Sequence, residues 1–299
     1  MTITNKFTGV GVALITPFDS KGSIDFGALA AIIDRVIDGG VDYLLALGTT
    51  SETPTLTPSE RVAVAKFIAQ RVNGRVPLMV GIGGNCTADV VAMLRSWDFT
   101  GYDAVLSVNP YYNKPNQEGL FLHFKALSEA SPLPIMLYNI PGRTGVNMTP
   151  QTVARIVAAC PNIFGIKEAS GDTDQMEEVV KAVAKVREDF ILVSGDDSLT
   201  VKAIRLGGKG VLSVLAHLYP ADVKSLTTLA LEGNYDKAEY MLSRLEAITD
   251  SLFAEGNPVG IKNALATKAL CTPTVRLPLA QASVELDIRQ RIEIIKYES

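Results

Sequence analysis

The chain has 299 residues, 28 basic and 32 acidic side chains, a formal net charge of −4, and 47% hydrophobic against 20% charged residues. Such a composition belongs to a well-cored globule of one large or two ordinary domains; it excludes a disordered chain, and its acidic balance without a basic tract leaves no footprint for nucleic acid. Only two histidines are present, His123 and His217, which all but excludes imidazole-rich zinc sites and leaves little room for a histidine-based triad.

The N-terminal stretch Met1–Gly9 lacks the charged-then-apolar pattern of a secretory leader, and no window approaches ~18 uninterrupted apolar residues. A cytoplasmic protein without a membrane span is expected. Three scattered cysteines, Cys86, Cys160 and Cys271, fit reduced thiols in that compartment.

The first short β-rich apolar run is Val10–Ile15. A helical stripe follows over Phe26–Asp38, with Leu29, Ile32, Ile33, Val36 and Ile37 on one face, and stops at Gly39-Gly40. The second run, Asp42–Leu47, leads through Gly48-Thr49-Thr50-Ser51-Glu52-Thr53 to a helix start at Thr57-Pro58-Ser59-Glu60. There Thr57 is the N-cap, proline takes the first helical position and glutamate lies three residues after the cap. Pro77–Ile82, Tyr102–Val108 and Pro134–Tyr138 are the next runs, and Thr149-Pro150 opens a further helix. Ile163–Lys167, Phe190–Ser194 and Gly210–Val214 complete the series.

These eight runs are apolar throughout rather than alternating, as parallel strands buried on both faces are. Their ends recur about every 28 residues, the size of a βα unit. The pattern predicts an α/β fold, a TIM (β/α)8 barrel over residues 1–232, followed by a C-terminal helical domain over 233–299. In the latter, Tyr235–Ala254 and Pro258–Leu270 form a helical layer and a candidate oligomerisation surface. Gly9-x-Gly11 and Gly81-Ile82-Gly83-Gly84 match neither a dinucleotide fingerprint nor a Walker motif and read as βα turns.

Chemistry in such barrels sits at the C-terminal ends of the strands. Lys167, at the end of its run, is an amine at the lip of an apolar barrel, where desolvation favours the neutral nucleophile that forms a Schiff base with a ketone. The alternative is a lysine paired with Glu168 or solvated. Tyr138, ending the preceding run, could relay protons or could be a packed aromatic; Tyr111-Tyr112 carries the same ambiguity. The Thr49-Thr50-Ser51 loop could hold a carboxylate or be a plain turn with caps. Arg143, in Pro141-Gly142-Arg143-Thr144-Gly145, offers a fork for a substrate carboxylate or a surface salt bridge. Asp196-Asp197 reads as a helix cap rather than a metal site. Neither a metal nor a cofactor is expected.

Five motifs occur in order. They are Gly48-Thr49-Thr50-x-Glu52, Asn109-Pro110-Tyr111-Tyr112-Asn113-Lys114-Pro115, Tyr138-Asn139-Ile140-Pro141-Gly142-Arg143-Thr144-Gly145, Gly165-Ile166-Lys167-Glu168-Ala169-Ser170 and Ser194-Gly195-Asp196-Asp197. Together they resemble the 4-hydroxy-tetrahydrodipicolinate synthase (dihydrodipicolinate synthase) family, in the pyruvate-dependent class I aldolase superfamily that includes N-acetylneuraminate lyase. The likeness extends from about Gly9 to Glu255-Gly256-Asn257-Pro258.

The resemblance implies that Lys167 forms a Schiff base with pyruvate. Tyr138 would be the proton donor and acceptor, linked to Thr49 and to Tyr112, whose counterpart reaches a neighbouring subunit's site. Thr50 and the backbone near Leu212 would hold the pyruvate carboxylate, with Gly195 also in the substrate-binding set. Arg143 would receive the carboxylate of L-aspartate 4-semialdehyde. The implied product is (4S)-4-hydroxy-2,3,4,5-tetrahydrodipicolinate, the first committed step toward diaminopimelate and lysine, formed by a homotetramer (a dimer of dimers).

Two departures stand out. Position 51 is serine where the family loop has glycine, with little effect on catalysis expected. The candidate lysine-inhibition site comprises Thr53, Asn85, Asp89 and Tyr111. Asn85 and Tyr111 match the sensitive pattern, whereas Thr53, Pro54, Pro58, Arg61 and Asp89 depart from it, so weak or absent inhibition is expected. Two alternatives are a sugar-acid aldolase (N-acetylneuraminate lyase or 2-keto-3-deoxygluconate aldolase), against which Arg143 speaks, and a non-catalytic keto-acid-binding barrel, against which the intact Lys167, Tyr138 and Thr49 speak.

Overall fold

The computed structural model describes residues 2–299. Eight parallel strands close into a single barrel in chain order. They are β1 (Gly9–Ala13), β2 (Tyr43–Ala46), β3 (Leu78–Gly81), β4 (Ala104–Val108), β5 (Ile135–Asn139), β6 (Ile163–Glu168), β7 (Ile191–Ser194) and β8 (Gly210–Ser213). Every expected run is a strand, with boundaries moved by a residue or two. Both faces are buried: along β5, Ile135 and Leu137 pack outward beneath the helices while Met136 and Tyr138 face the barrel interior. That two-sided burial is why the runs lack a polar alternation.

The helices begin where local chemistry says they should. Phe26–Asp38 buries Leu29, Ile32, Ile33 and Val36 and is capped by the Asp25 carboxylate. Pro58–Val72 opens on a reciprocal capping box between Thr57 and Glu60, and the Thr149 hydroxyl accepts from the Thr152 amide at the head of Pro150–Ala159. Each such cap satisfies N–H groups that the first turn leaves without partners.

Gly9 and Gly11 lie within β1 rather than at a turn. A Cβ at Gly11 would fall 2.1 Å from the Tyr43 ring, so the bare backbone makes room for Tyr43 across the barrel interior. Phe7, following the short helix Ile3–Lys6, packs edge-on against Tyr43 at 5.2 Å and against Phe164 at 5.4 Å. Tyr43 is the first residue of β2 and Phe164 the second of β6, so Phe7 plugs the end of the barrel opposite the strand C-termini.

Three helices follow the barrel's last one, Pro220–Leu231: Tyr235–Phe253, Val259–Thr267 and Val284–Glu298. The buried Gln290 amide ties them together, donating to the carbonyls of Ser251 and Gly260 and accepting from Asn263. No helix among the described residues is long and apolar enough to cross a membrane.

Candidate active site

The pairing of β5 with β6 contains an irregularity. Ile135 pairs with Ile163, but Met136 pairs with Gly165, leaving Phe164 as the extra residue. Side chains alternate between faces, so a one-residue slip exchanges inside and outside. The slip sets Lys167 opposite the inward-facing Tyr138; in unbroken register Lys167 would oppose Asn139 and face the outer layer. Lys167 is 6% exposed, and its Nζ lies 4.4 Å from the centroid of the Tyr138 ring. A Cβ at Gly195 would approach Lys167 Cε to 2.8 Å and Ala169 Cβ to 2.6 Å, so glycine there leaves space for the lysine stem.

Glu168 is not the partner of Lys167. Its carboxylate accepts from Asn139 Nδ2, Gln175 Nε2 and the Ser170 amide. Asn139 Oδ1 in turn accepts from Asn109 Nδ2 and the Met148 amide. Burial raises the Glu168 pKa, opposed by those donors. This buried network clamps the C-terminal ends of β4, β5 and β6 from outside, while Lys167 and Tyr138 project inside.

The loop after β2 folds as two single turns, Thr49–Ser51 and Thr53–Thr55, joined at Glu52 with φ +53°. Ser51 is buried and donates its hydroxyl to the Leu14 carbonyl at 2.6 Å. Glu52 is fully buried in an ion pair with Lys262 and also accepts the Arg276 amide at 2.9 Å. Lys262 Nζ additionally donates to the Thr274 carbonyl and lies 4.0 Å from the Phe18 ring centroid. The C-terminal segment therefore grips the Thr49–Thr50 loop from behind.

A cavity of about 580 Å³ opens at the C-terminal ends of the strands. Its walls include Thr49, Thr53, Arg61, Tyr111, Tyr138, Arg143, Asn257, Pro278 and Leu279. Lys167 is not itself in the wall; its Nζ lies behind the Tyr138 ring, which is. Thr50 lies just behind the wall, its Oγ1 accepting from Asn257 Nδ2 at 2.8 Å. Arg143 projects from the turn Pro141–Thr144 and is held not by a carboxylate but by the Asn257 carbonyl, at 3.0 Å from Nη2. Leu212, on β8, is buried in the barrel interior.

Other expected residues are not gathered here. Tyr112, at φ +75°, is 89% exposed and absent from the cavity wall. Of the candidate lysine site, Thr53 and Tyr111 line the cavity, while Asp89 is exposed on the helix Thr87–Ser96 and Asn85 uses its carbonyl to accept from Asn113 Nδ2. Asp196 caps as expected, accepting from the Ser198 amide, but Asp197 does something else. Its buried carboxylate accepts from Ser213 Oγ and from the amides of Val214 and Leu215, holding the end of β8.

Both histidines are structural. His217 Nδ1–H donates to the Val214 carbonyl while Nε2 accepts from the Ile15 amide, and burial pushes its pKa down to about 4. His123, packed beside Thr87, is likewise lowered to about 4 by burial. Sequence reasoning missed Asn257, Lys262 and Arg276. The dipeptide Asn257-Pro258 was visible as a motif, but nothing local told that it would reach Thr50 and Arg143.

Residues 6–295 match the model of the dihydrodipicolinate synthetase family. A 4-hydroxy-tetrahydrodipicolinate synthase of Flavobacterium psychrophilum is 46% identical over 288 residues, 96% of this chain and 97% of that protein. The synthase of Bacillus subtilis is 42% identical over 274 residues, 92% and 93% of the two chains. Among solved structures, dihydrodipicolinate synthase from Thermotoga maritima superposes with a TM-score of 0.95 at 37% identity, covering 98% of this chain and 99% of that one. A structure described as the first monomeric dihydrodipicolinate synthase variant gives a TM-score of 0.96, also at 37% identity, over 99% and 98% of the chains. The chain belongs to the dihydrodipicolinate synthetase family.

Proposed function

We propose that this protein is a Schiff-base-forming lyase that condenses pyruvate with L-aspartate 4-semialdehyde to (4S)-4-hydroxy-2,3,4,5-tetrahydrodipicolinate. The observation that carries the reading is the Lys167 amine held 4.4 Å from the Tyr138 ring, inside the end of the barrel, by the slipped β5–β6 register. Lys167 Nζ attacks the pyruvate carbonyl carbon, water leaves, and an imine forms. Loss of a methyl proton gives the enamine, whose carbon adds to the aldehyde; the new oxygen takes a proton. The substrate amine then attacks the imine carbon and displaces Lys167, which closes the ring and regenerates the enzyme.

Tyr138 and Thr49 are proposed to carry the protons, since both face the one cavity. Thr50 and the backbone at Leu212 and Gly195 would orient pyruvate, and Arg143 would bind the second carboxylate as a bidentate fork. Arg143 is held by a carbonyl and has no carboxylate partner to release first. That favours an acceptor aldehyde that carries a carboxylate, as the semialdehyde does, over the uncharged sugar aldehyde that a sugar-acid aldolase joins to pyruvate. Tyr112, almost wholly exposed on its own chain, fits a role in a neighbouring subunit of a cytoplasmic homotetramer. The division into a 1–232 barrel and a 233–299 helical domain is retained as a proposal, with the second part closing the first one's site through Asn257 and Leu279.

Borohydride reduction in the presence of pyruvate tests the reading. A mass increment on Lys167 is expected, and it must vanish in Lys167→Ala; no increment in the parent protein would remove the mechanism.

A further inference from the structure

We propose that the outer face of the C-terminal helix, Val284–Glu298, is an interface between two copies of this chain. The two helices pack antiparallel across a two-fold axis, Ile288 of each copy against Ile292 of the other. The proposal is independent of the chemistry assigned above and concerns a surface outside the barrel.

The helix buries Leu286, Gln290 and Ile294 at four-residue spacing, and the Gln290 hydrogen bonds already anchor it. A helix with one side on a core is ordinarily polar on the other. Here Val284, Ile288, Ile292 and Ile295 recur at three- or four-residue spacing and remain 77%, 52%, 45% and 67% exposed. At about 3.6 residues per turn, that row runs along the side of the helix opposite the buried one. A continuous exposed aliphatic row is unfavourable in water and marks a contact surface.

The charges beside the row select the occupant. Asp287 and Arg291 lie along one edge, Glu285, Arg289 and Lys296 along the other. Acids and bases are mixed, whereas a helix face held to a lipid surface is rimmed by lysine and arginine. In an antiparallel pair related by a two-fold axis, each edge meets the same edge of the other copy. Glu285 then approaches Lys296 of the other copy, and Asp287 approaches Arg291. Arg291 Nε already donates to Asp287 within its own helix at 2.8 Å, so the two ion pairs interleave across the axis. Arg289, farthest round from the aliphatic row, turns out to solvent. A parallel pair would set opposite edges together, Asp287 against Glu285 and Arg291 against Arg289, like charge on like. The partner that this surface fits is therefore a second, antiparallel copy.

Sedimentation velocity over a concentration series tests this with the parent, Ile288→Asp/Ile292→Asp and Ile288→Lys/Ile292→Lys. Each double variant should lose an association step that the parent shows, its dissociation constant rising about 100-fold or more. Mixing the two variants should restore that step, because the acids of one chain then face the amines of the other. An unchanged sedimentation profile, or no recovery on mixing, would overturn the proposal. So would binding of the parent to phosphatidylserine vesicles that the aspartate variant loses, which assigns the face to lipid. Borohydride trapping of pyruvate on Lys167 should persist in every variant and reports a folded barrel; its failure in the parent would concern the chemistry alone. Should the charged variants lose trapping, Ile288→Gln/Ile292→Gln decides: it adds no charge, must weaken the step about 10-fold, and overturns the proposal if the step is unchanged.

Discussion

Lys262 and Glu52 form an ion pair buried at 0% and 2% exposure, one partner from a C-terminal helix and the other from the loop that carries Thr49 and Thr50. Replacing Lys262 by methionine keeps most of the side-chain volume but strips Glu52 of its counter-charge. The carboxylate would retain only the Arg276 amide, and the Thr274 carbonyl would lose its donor. Removing one member of a buried pair costs about 3–5 kcal/mol, because the remaining charge stays desolvated. Equilibrium urea unfolding of Lys262→Met should show a loss of that size. The double variant Glu52→Gln/Lys262→Met removes the orphaned charge while keeping an acceptor for Arg276, so it should recover roughly half or more of the loss. If Lys262→Met stays within about 1 kcal/mol of the parent, the pair is not desolvated as described and the reasoning fails. Because the same pair braces the Thr49–Thr50 loop, kcat should fall in the single variant and partly return in the double.

Gly195→Ala should leave the fold cooperative but displace the Lys167 stem; imine trapping should slow by about 10²-fold, and an unchanged trapping rate would mean the stem passes elsewhere. Tyr138→Phe should retain pyruvate trapping while kcat drops by about 10²–10⁴-fold, and a fully active phenylalanine variant would take the proton relay away from Tyr138. The Arg276 guanidinium holds the Glu60 carboxyl down at about 2. A lowered carboxyl pKa stabilises the fold above its ordinary range and loses that effect as pH falls through the folded value. Stability should therefore decline between pH 4.5 and about 2, with roughly 1–2 kcal/mol at stake after solvent screening, and Glu60→Gln should flatten that part of the curve. L-Lysine should inhibit weakly or not at all, since the Arg61 guanidinium shares the cavity wall with Thr53 and Tyr111 and repels a cationic ligand, while Asp89 is absent from that wall; inhibition at micromolar concentration would refute this.

Much of the barrel was legible before any coordinate. Parallel strands buried on both faces leave unbroken apolar runs, and all eight were visible, as were the Phe26–Asp38 stripe and the caps at Thr57 and Thr149. Such signals are local, set by side-chain periodicity and first-turn hydrogen bonding. The fate of Asp197 was not legible, because a capping aspartate and one pinning a neighbouring strand look alike until β8 arrives beside it. Likewise the alternative of a Lys167–Glu168 pair could be discarded only once their opposite faces were known.

Side-chain periodicity and first-turn chemistry are enough to specify the architecture and the chemical inventory: a (β/α)8 barrel, with an amine, phenols and threonine hydroxyls at its strand ends. Tertiary structure decided how that inventory is aimed. The one-residue slip opposite Ile135 turns Lys167 inward to Tyr138, and a slip leaves no mark in the composition of a uniformly apolar strand. Asn257 reaches Thr50 across 207 positions of chain and Lys262 reaches Glu52 across 210. Contacts of that separation depend on how the C-terminal helices pack against the completed barrel, which no local periodicity encodes.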